Sequence, residues 1–132
     1  MNYRKIDLHE DYPVIADMFI RSSMGVAPRK DTLPTDGLIA EKDGFVQGAL
    51  FIYTVSNARI AIFGYPILNP DYKGDRAGVM FNLIDRCEQI CKYMGFTYVY
   101  TWSGTDAFIK YLKDMRYAEG DKDVTHFIKL LN

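Results

Sequence analysis

The chain has 132 residues, enough for one ordinary domain, and its hydrophobic content of 48% supports a single buried core. Its formal net charge of −1 argues against a general nucleic-acid-binding protein, which normally carries a basic excess. No apolar run approaches the length of a membrane span, and the N-terminus has no apolar signal core. We therefore expect one domain over residues 1–132, with no membrane segment.

The first third of the chain predicts a strand, a helix and a loop. Residues 2–8 have the pattern of a short strand. Residues 10–23 predict a helix with Asp11 as its N-cap and Pro13 in its first turn. Residues 24–36 contain two prolines and a glycine, which predict a loop or a broken short helix.

The middle of the chain predicts a meander of strands. Asp43-Gly44 separates two strand-like runs and is a strong hairpin signal. After a turn at residues 56–58, the run RIAIFGYPIL has the pattern of another strand. Within it, Gly64 weakens strand packing and Pro66 cannot donate to a sheet ladder. Together they predict a bulge, or a place where this strand leaves its neighbour.

The rest of the chain predicts two helices and two strands. Apolar residues recur with the helical period from Val79 to Met94, and Gly95 suits the end of that helix. Residues 96–102 predict a strand that would complete a right-handed parallel βαβ unit. A helix over residues 105–115 and a last strand over residues 123–131 complete the order β-α-β-β-β-α-β-α-β.

The two cysteines, Cys87 and Cys91, lie four residues apart on one helix. No CxxC spacing or further Cys/His pair accompanies them, so the spacing favours core thiols over a zinc site. Unpaired thiols indicate a reducing compartment, and we expect a cytoplasmic location.

The segment NPDYKGDRAG, residues 69–78, places two glycines at the start of the second helix. Free N–H groups and the helix dipole favour an anion there, and glycine lets a pyrophosphate approach the backbone. Lys73 and Arg76 would add positive charge, whereas Asp71 and Asp75 would oppose the anion. A tight connection also needs glycine, so this feature alone leaves both interpretations open.

The wider stretch LNPDYKGDRAG resembles the acetyl-CoA signature of the GCN5-related N-acetyltransferase (GNAT) superfamily. That signature is Q/R-x-x-G-x-G/A, usually after V-x-P-x-Y-R-G. Pro70, Tyr72, Gly74 and Gly78 match directly, Lys73 stands for the Q/R, Leu68 stands for the valine, and Arg76 departs from the middle glycine. The predicted element order matches the GNAT fold over nearly all of the chain, and YLKDMRYAE resembles the family's LYEKLGFE segment.

The resemblance implies an α+β fold with a mixed sheet, the acyl-CoA N-acyltransferase fold. Its sheet is mostly antiparallel, with a central splayed parallel pair, and helices flank it. The implied cofactor is acetyl-CoA, whose pantetheine arm and acyl group would meet backbone groups of Ile67 and Leu68. The pyrophosphate would be held by backbone N–H groups of Lys73, Gly74, Asp75, Arg76, Ala77 and Gly78. Ser103 or Thr105 would replace an asparagine often found after the fifth strand.

The catalytic residues are less clear from the resemblance. Many relatives use a glutamate on the strand before Leu68 as the base, but IAIFGYPIL has no acid or histidine. Tyr65 is its only titratable side chain. The unperturbed pKa of tyrosine is about 10, which makes it a poor base near neutral pH. The proton donor of the family is usually a tyrosine, at a position where the alignment places Leu112. Tyr111 is one residue away, and it is either that donor or a core aromatic.

Other candidate residues have ordinary structural interpretations beside functional ones. On the predicted last strand, His126 is favoured as a structural residue over a base. Arg21, Arg29 and Lys30 flank the loop that would form the acceptor wall, where they bind an acidic acceptor or remain solvated. Tyr100 and Trp102 either wall an acceptor pocket or pack in the core.

Three functions remain open from the sequence. The first is direct transfer of an acetyl group from acetyl-CoA to an unidentified primary amine of a small molecule or peptide. The second is a non-catalytic GNAT-like binding or structural protein, as small divergent relatives in phages suggest. The third is an unrelated α+β protein whose glycine turn is merely a turn. Homodimers are common in the resembling family, so a dimer is a further expectation.

Overall fold

The computed structural model describes residues 1–131 as a five-stranded sheet with three α-helices. The elements are β1 (Asn2–Lys5), α1 (Leu8–Arg21), a 3₁₀ turn (Lys30–Thr32), β2 (Gly37–Lys42), β3 (Phe45–Thr54), β4 (Ile60–Leu68), α2 (Arg76–Tyr93), β5 (Tyr98–Tyr100) and α3 (Asp106–Asp114). The 3₁₀ turn falls inside the predicted loop of residues 24–36, and no helix in the described part of the chain is long and apolar enough to cross a membrane.

The strands follow one another across the sheet in the order β1-β2-β3-β4-β5. All neighbours are antiparallel except β4 and β5, which are parallel and joined by α2. Asp43 and Gly44, with φ of 52° and 82°, form the predicted two-residue hairpin between β2 and β3. The predicted mixed α+β fold is confirmed, although the parallel pair lies at the edge of the sheet rather than in its centre.

Both faces of the sheet carry a core, with α1 on one side and α2 and α3 on the other, because the strands alternate their side chains between the two faces. In β3, Leu50 and Ile52 face α2, whereas Ala49 and Phe51 face α1. The core on the α2 side includes Phe63 of β4 and Leu83, Ile84 and Cys87 of α2, all fully buried. The core on the α1 side includes Ile39 of β2 and Ile15, Met18 and Phe19 of α1, also fully buried. Both cysteines are buried and unpaired, as the helical spacing predicted.

The predicted N-cap of α1 is wrong. The helix begins at Leu8, and Asp7 caps it by accepting a hydrogen bond from the backbone N–H of Glu10. Asp11 is instead a buried helical residue whose carboxylate receives two hydrogen bonds from Arg4, at 2.8 and 2.9 Å. Asp11 also accepts from the N–H of Asp7, so an ion pair with β1 moves the start of the helix upstream.

The predicted last strand is also absent from the structure. After α3, residues 116–131 contain no helix or strand, and residues 123–131 are exposed. The strand predicted over residues 96–102 is reduced to Tyr98–Tyr100. Strand geometry requires a hydrogen-bonded neighbour, and β5 has one only on its β4 side within residues 1–131. His126 is therefore not a strand residue facing the core, but an exposed side chain.

Candidate functional site

The parallel strands β4 and β5 separate partway along β4. Their backbone pairing covers Ile60 to Ile62 of β4. Just beyond it, Thr101 Oγ1 donates a hydrogen bond to the carbonyl oxygen of Phe63, at 2.9 Å. From Gly64 to Leu68, β4 pairs with β3 alone among the described residues. This separation leaves one backbone edge of β4 open, beside the end of β5.

The separation coincides with the predicted bulge. Gly64 pairs with Phe51 and Ile67 with Ala49, so two β4 residues, Tyr65 and Pro66, stand opposite Leu50 alone. Tyr65 takes a positive φ of 50°, which is a strained conformation for a tyrosine. Bulges bend the strand that carries them, and here the bend directs the end of β4 away from β5. The sequence prediction from Gly64 and Pro66 is confirmed.

The loop after β4 is held by its own polar groups. The Asn69 N–H donates to Gln47 on β3 at 2.8 Å, and the Tyr72 N–H closes a turn onto the Asn69 carbonyl at 3.0 Å. Arg76 then donates through Nη1 to the carbonyl oxygens of both Asn69 and Tyr72, at 2.8 and 2.9 Å. The residue that departs from the signature therefore fastens the loop to the start of α2. The sequence carries no signal for this role.

A row of backbone donors follows this loop. The N–H groups of residues 73–77 donate no hydrogen bond to any described part of the chain. The next N–H, that of Gly78, donates to the Asp75 carboxylate at 3.0 Å, and that of Val79 donates to the Asp75 carbonyl. Unpartnered donors in the loop before a helix and in its first turn attract an anion, so the residues present fit the pyrophosphate of acetyl-CoA.

Local sterics explain why glycine stands at positions 74 and 78. A Cβ at Gly78 would overlap the Asp75 carboxylate, and a Cβ at Gly74 would overlap the hydroxyl end of the Tyr72 ring. Gly78 therefore allows Asp75 to cap α2, whatever else binds there. The glycines alone do not identify a phosphate site, and the unpartnered N–H groups are the stronger observation.

The charges around the segment are mixed. Asp71 forms an ion pair with Arg21 at 2.6 Å, and Arg21 also pairs with Asp17. Lys73 is exposed, and neither Lys73 nor Asp75 has an oppositely charged partner within 4.0 Å in the described chain. Asp75 is thus the negative charge that an anion at residues 73–77 would meet. Arg21 is not a free cation for an acidic acceptor.

Tyr111 lies on α3, half-buried against α2. Its ring meets Phe81 edge-to-face at a centroid distance of 5.3 Å, and the adjacent Leu112 is buried in the core. The Tyr111 hydroxyl makes no hydrogen bond with any residue from 1 to 131. The ring therefore has a packing role, and its hydroxyl is available for another one.

Ser103 lies in the turn between β5 and α3. Its hydroxyl accepts a hydrogen bond from the Thr105 N–H at 3.0 Å and shares another with the Thr105 hydroxyl. Ser103 and Thr105, the two expected replacements for the asparagine of the resembling family, are thus hydrogen-bonded to each other. Tyr100, the last residue of β5, and Trp102, two residues later, are exposed and so do not belong to the core. Their ring centroids lie 6.2 Å apart.

Burial changes the acidity of several side chains away from the opening. It raises the pKa of Cys91 to about 11 and that of Cys87 further, so neither thiol is an activated nucleophile. The pKa of Tyr117 is raised by burial and by its hydrogen bond to Glu88. The described residues hold no group of three His, Cys, Asp or Glu side chains arranged for a metal ion.

No protein-family model and no curated protein matches the sequence. Solved structures do match the fold. An aminoglycoside acetyltransferase from an uncultured soil metagenomic sample, in complex with sisomicin, aligns with a TM-score of 0.70 and 15% identity over 99% of this chain and 96% of its own. The ribosomal-protein-S18-alanine N-acetyltransferase from Escherichia coli aligns with a TM-score of 0.75 and 13% identity over 91% of this chain and 79% of its own.

A ribosomal-protein-alanine N-acetyltransferase from Brucella melitensis biovar Abortus 2308 aligns with a TM-score of 0.71 and 15% identity over 98% of this chain and 100% of its own. These similarities, at low sequence identity, show the architecture alone: the chain shares the fold of these acetyltransferase structures, the mixed-sheet α+β fold that the resemblance implies. The three structures are bacterial or metagenomic, and they give no support to a phage origin.

Proposed function

We propose that this chain binds acetyl-CoA between β4 and β5 and transfers its acetyl group directly to a primary amine. The observation that carries the proposal is a pair of adjacent features: the open backbone edge of β4 and the unpartnered N–H groups of residues 73–77. An open strand edge suits an extended, amide-containing chain, and a helix N-terminus suits a pyrophosphate. The acetyltransferases that share the fold add support.

Each part of the opening has a proposed role. Backbone groups of Ile67 and Leu68 would pair with the amides of the pantetheine arm. The N–H groups of residues 73–77 and the side chain of Lys73 would hold the pyrophosphate, while Arg76 keeps the loop in place. Bound acetyl-CoA supplies an activated acetyl group, and the protein orients it next to the amine.

The proton transfers are assigned to few residues. Tyr111 would donate the proton of its unpartnered hydroxyl to the departing CoA thiolate, which leaves as the thiol. Strand β4 carries no carboxylate or imidazole, so the amine would arrive neutral or lose its proton to water. The acceptor class we propose is a primary amine on a small molecule or at a peptide N-terminus. Two proteins that share the fold are named for an aminoglycoside and for an alanine of ribosomal protein S18.

A second candidate is a GNAT-fold protein that binds a ligand or partner without catalysis. Two observations favour it: the absence of an acid from the β4 sequence, and the Asp75 carboxylate on the Gly78 N–H where a pyrophosphate would otherwise bind. Ligand binding and turnover separate the two candidates, and each has its own measurement.

The binding test is calorimetry with acetyl-CoA, free CoA and ATP on the wild type and on Asp75→Asn. Asparagine keeps the N-cap of α2 but removes a charge from the proposed pyrophosphate site, so CoA affinity should rise by about tenfold, the equivalent of about 1.4 kcal/mol. Asp106→Asn is the matched control because it removes an acid from the first turn of α3, and it should leave the affinity unchanged. Failure of acetyl-CoA to bind at millimolar concentration would exclude the proposed site.

The turnover test compares the wild type with Tyr111→Phe. Phenylalanine keeps the contact with Phe81 but removes the hydroxyl, so kcat should fall by about tenfold or more while CoA affinity stays the same. Tyr93→Phe is the control, since Tyr93 is the exposed last residue of α2. Release of free CoA would be followed with aminoglycosides, polyamines and peptides with free N-termini. Tight CoA binding without turnover on any amine would favour the second candidate.

A further inference from the structure

Aromatic side chains stand on both sides of the opening between β4 and β5. On β4, the Tyr65 ring meets Phe19 of α1 edge-to-face at a centroid distance of 6.1 Å, so Tyr65 lies on the α1 face of the sheet. On β5, Tyr100 pairs with Ile62, the last β4 residue of the parallel ladder, and its ring contacts that of Trp102. Tyr65, Tyr100 and Trp102 are 37%, 57% and 52% exposed, so their rings are open to a ligand beside the opening.

Tyr100 lies on the same face of the sheet as Tyr65. Residues paired across neighbouring strands share a face, and Tyr53 of β3, Ile62 of β4 and Tyr100 of β5 are joined in one such row. Tyr53 packs against the core under α1, which places the row on the α1 face. Its hydroxyl donates to the carbonyl oxygen of Thr32 at 2.9 Å, so the Tyr53 ring is held at one end of the row.

The two faces of the opening differ in access. On the α2 face, Phe63 is fully buried, and Leu68 and Tyr72 pack against the same core. The proposed pyrophosphate site at the start of α2 and the proposed proton donor, Tyr111, are on that side as well. Direct transfer requires the amine and the thioester in the site together, so the amine must reach the acetyl group from the α1 face. There it meets Tyr65, Tyr100 and Trp102, which we call the aromatic patch.

The surroundings of the aromatic patch carry few charges. None of the side chains of β3, β4 and β5 is charged. In the loop that Tyr53 contacts, Asp31 is paired with Arg29 at 2.9 Å, and His126 adds a further planar ring by stacking on Trp102 at 5.5 Å. A ligand with several ammonium groups loses water around each charge on such a surface, and the strands of the patch supply no carboxylate in return. The patch therefore favours an acceptor with one amine and a planar apolar body.

We propose that the acceptor of this protein is an arylalkylamine: a single primary amine joined by a short chain to an aromatic ring, with that ring bound by Tyr65, Tyr100 and Trp102. This inference rests on the proposed function and names the substrate class of the same site. Edge-to-face and offset contacts with the patch orient the acceptor ring, and the short chain lets the amine reach into the opening. An amine without a ring, or with several charges, lacks these contacts.

The first test measures binding of the ring and needs no turnover. Trp102 is the only tryptophan of the chain, so its fluorescence reports a ligand on the aromatic patch. Phenethylamine, cyclohexylethylamine and spermidine are titrated with and without free CoA, and phenethylamine should bind about tenfold more tightly than the other two. Equal affinity for the three amines, or no binding of phenethylamine in either state, would overturn the inference whether or not the protein binds acetyl-CoA.

The second test compares Tyr100→Leu with its matched control, Tyr98→Leu. Both tyrosines are exposed on the same face of β5, but Tyr98 pairs with Ile60, one step of the ladder farther from the opening. Tyr100→Leu should raise the KM for phenethylamine by about tenfold, with kcat and the Kd of CoA nearly unchanged, because the ring contact is lost and the reacting groups are not. Tyr98→Leu should leave all three constants near the wild-type values. Equal KM values in the two variants would contradict the role of the patch.

The two tests separate failure of this inference from failure of the proposed function. Acetylation of spermidine or an aminoglycoside in preference to phenethylamine would leave the proposed function intact and overturn the arylalkylamine acceptor. Binding of phenethylamine at Trp102 without acetyl transfer to any amine would overturn the proposed catalysis, while the ring-binding site stands.

Discussion

At the scale of single residues, the ion pair between Arg4 and Asp11 stands out because its carboxylate is buried. Asp11 is 6% exposed, and its carboxylate accepts from the Arg4 guanidinium and from the Asp7 N–H. These hydrogen bonds, led by that of Arg4, lower the pKa of Asp11 below its ordinary value of 3.8. A buried carboxylate is stabilising only while its partners remain.

Asp11→Ala should therefore lower the free energy of unfolding by about 2–4 kcal/mol, because it leaves the guanidinium without its buried partner. Asp17→Ala removes one of the two acidic partners of Arg21 on the exposed face of the same helix and should cost less than about 1 kcal/mol. Urea unfolding at pH 7 measures both. Equal losses in the two variants would contradict the role given to Asp11.

The same pair sets a pH dependence. The folded-state pKa of Asp11 is depressed, so its stabilising contribution is present above the unfolded value and is lost as the pH falls through the folded one. The stability difference between the wild type and Asp11→Asn should therefore shrink below about pH 4. Sequence patterns could not show that Asp7 rather than Asp11 caps α1, because the choice depends on the ion pair of Asp11 with Arg4, a residue of β1.

At the scale of elements, the N-cap residue Asp75 and Gly78 depend on each other at the start of α2. Gly78→Ala replaces a poor helix former, a gain of about 1 kcal/mol, but its Cβ would displace the Asp75 carboxylate, a loss of about the same size. We expect little net change in the wild type. In the Asp75→Ala background no cap remains to be lost, so the same substitution should stabilise by about 1 kcal/mol.

A double-mutant cycle of thermal or urea unfolding measures this coupling. Additive effects of the two substitutions would show that Gly78 does not serve the cap. The end of α2 followed from the apolar period and Gly95, although the helix begins at Arg76, before the first apolar residue of that period. The bulge of β4 followed from Gly64 and Pro66. The last strand did not follow from its pattern, because residues 123–131 have strand-like residues but no neighbour in the described chain.

At the scale of the whole molecule, the fold class was predictable from the sequence, except for the last strand, whereas the catalytic residues stay a prediction. Local signals such as Asp43-Gly44 and the long period of α2 specify the order of elements, and that order with a right-handed crossover leaves few topologies. A fold of this kind supports several reactions, so function depends on particular groups. The sequence predicted the free N–H groups at the start of α2, whereas the loop contacts of Arg76 arise from three-dimensional packing that no spacing in the sequence encodes.

The position of Arg76 bears on how this protein would respond to consensus engineering. Changing Arg76 to the glycine of the signature would make the sequence more typical of the family, yet it would remove both links to the Asn69 and Tyr72 carbonyls. A glycine at the first position of α2 would also increase the freedom of the unfolded chain. The substitution that brings the segment closest to the signature would therefore loosen it, and the effect of a glycine at this position depends on the loop that precedes it.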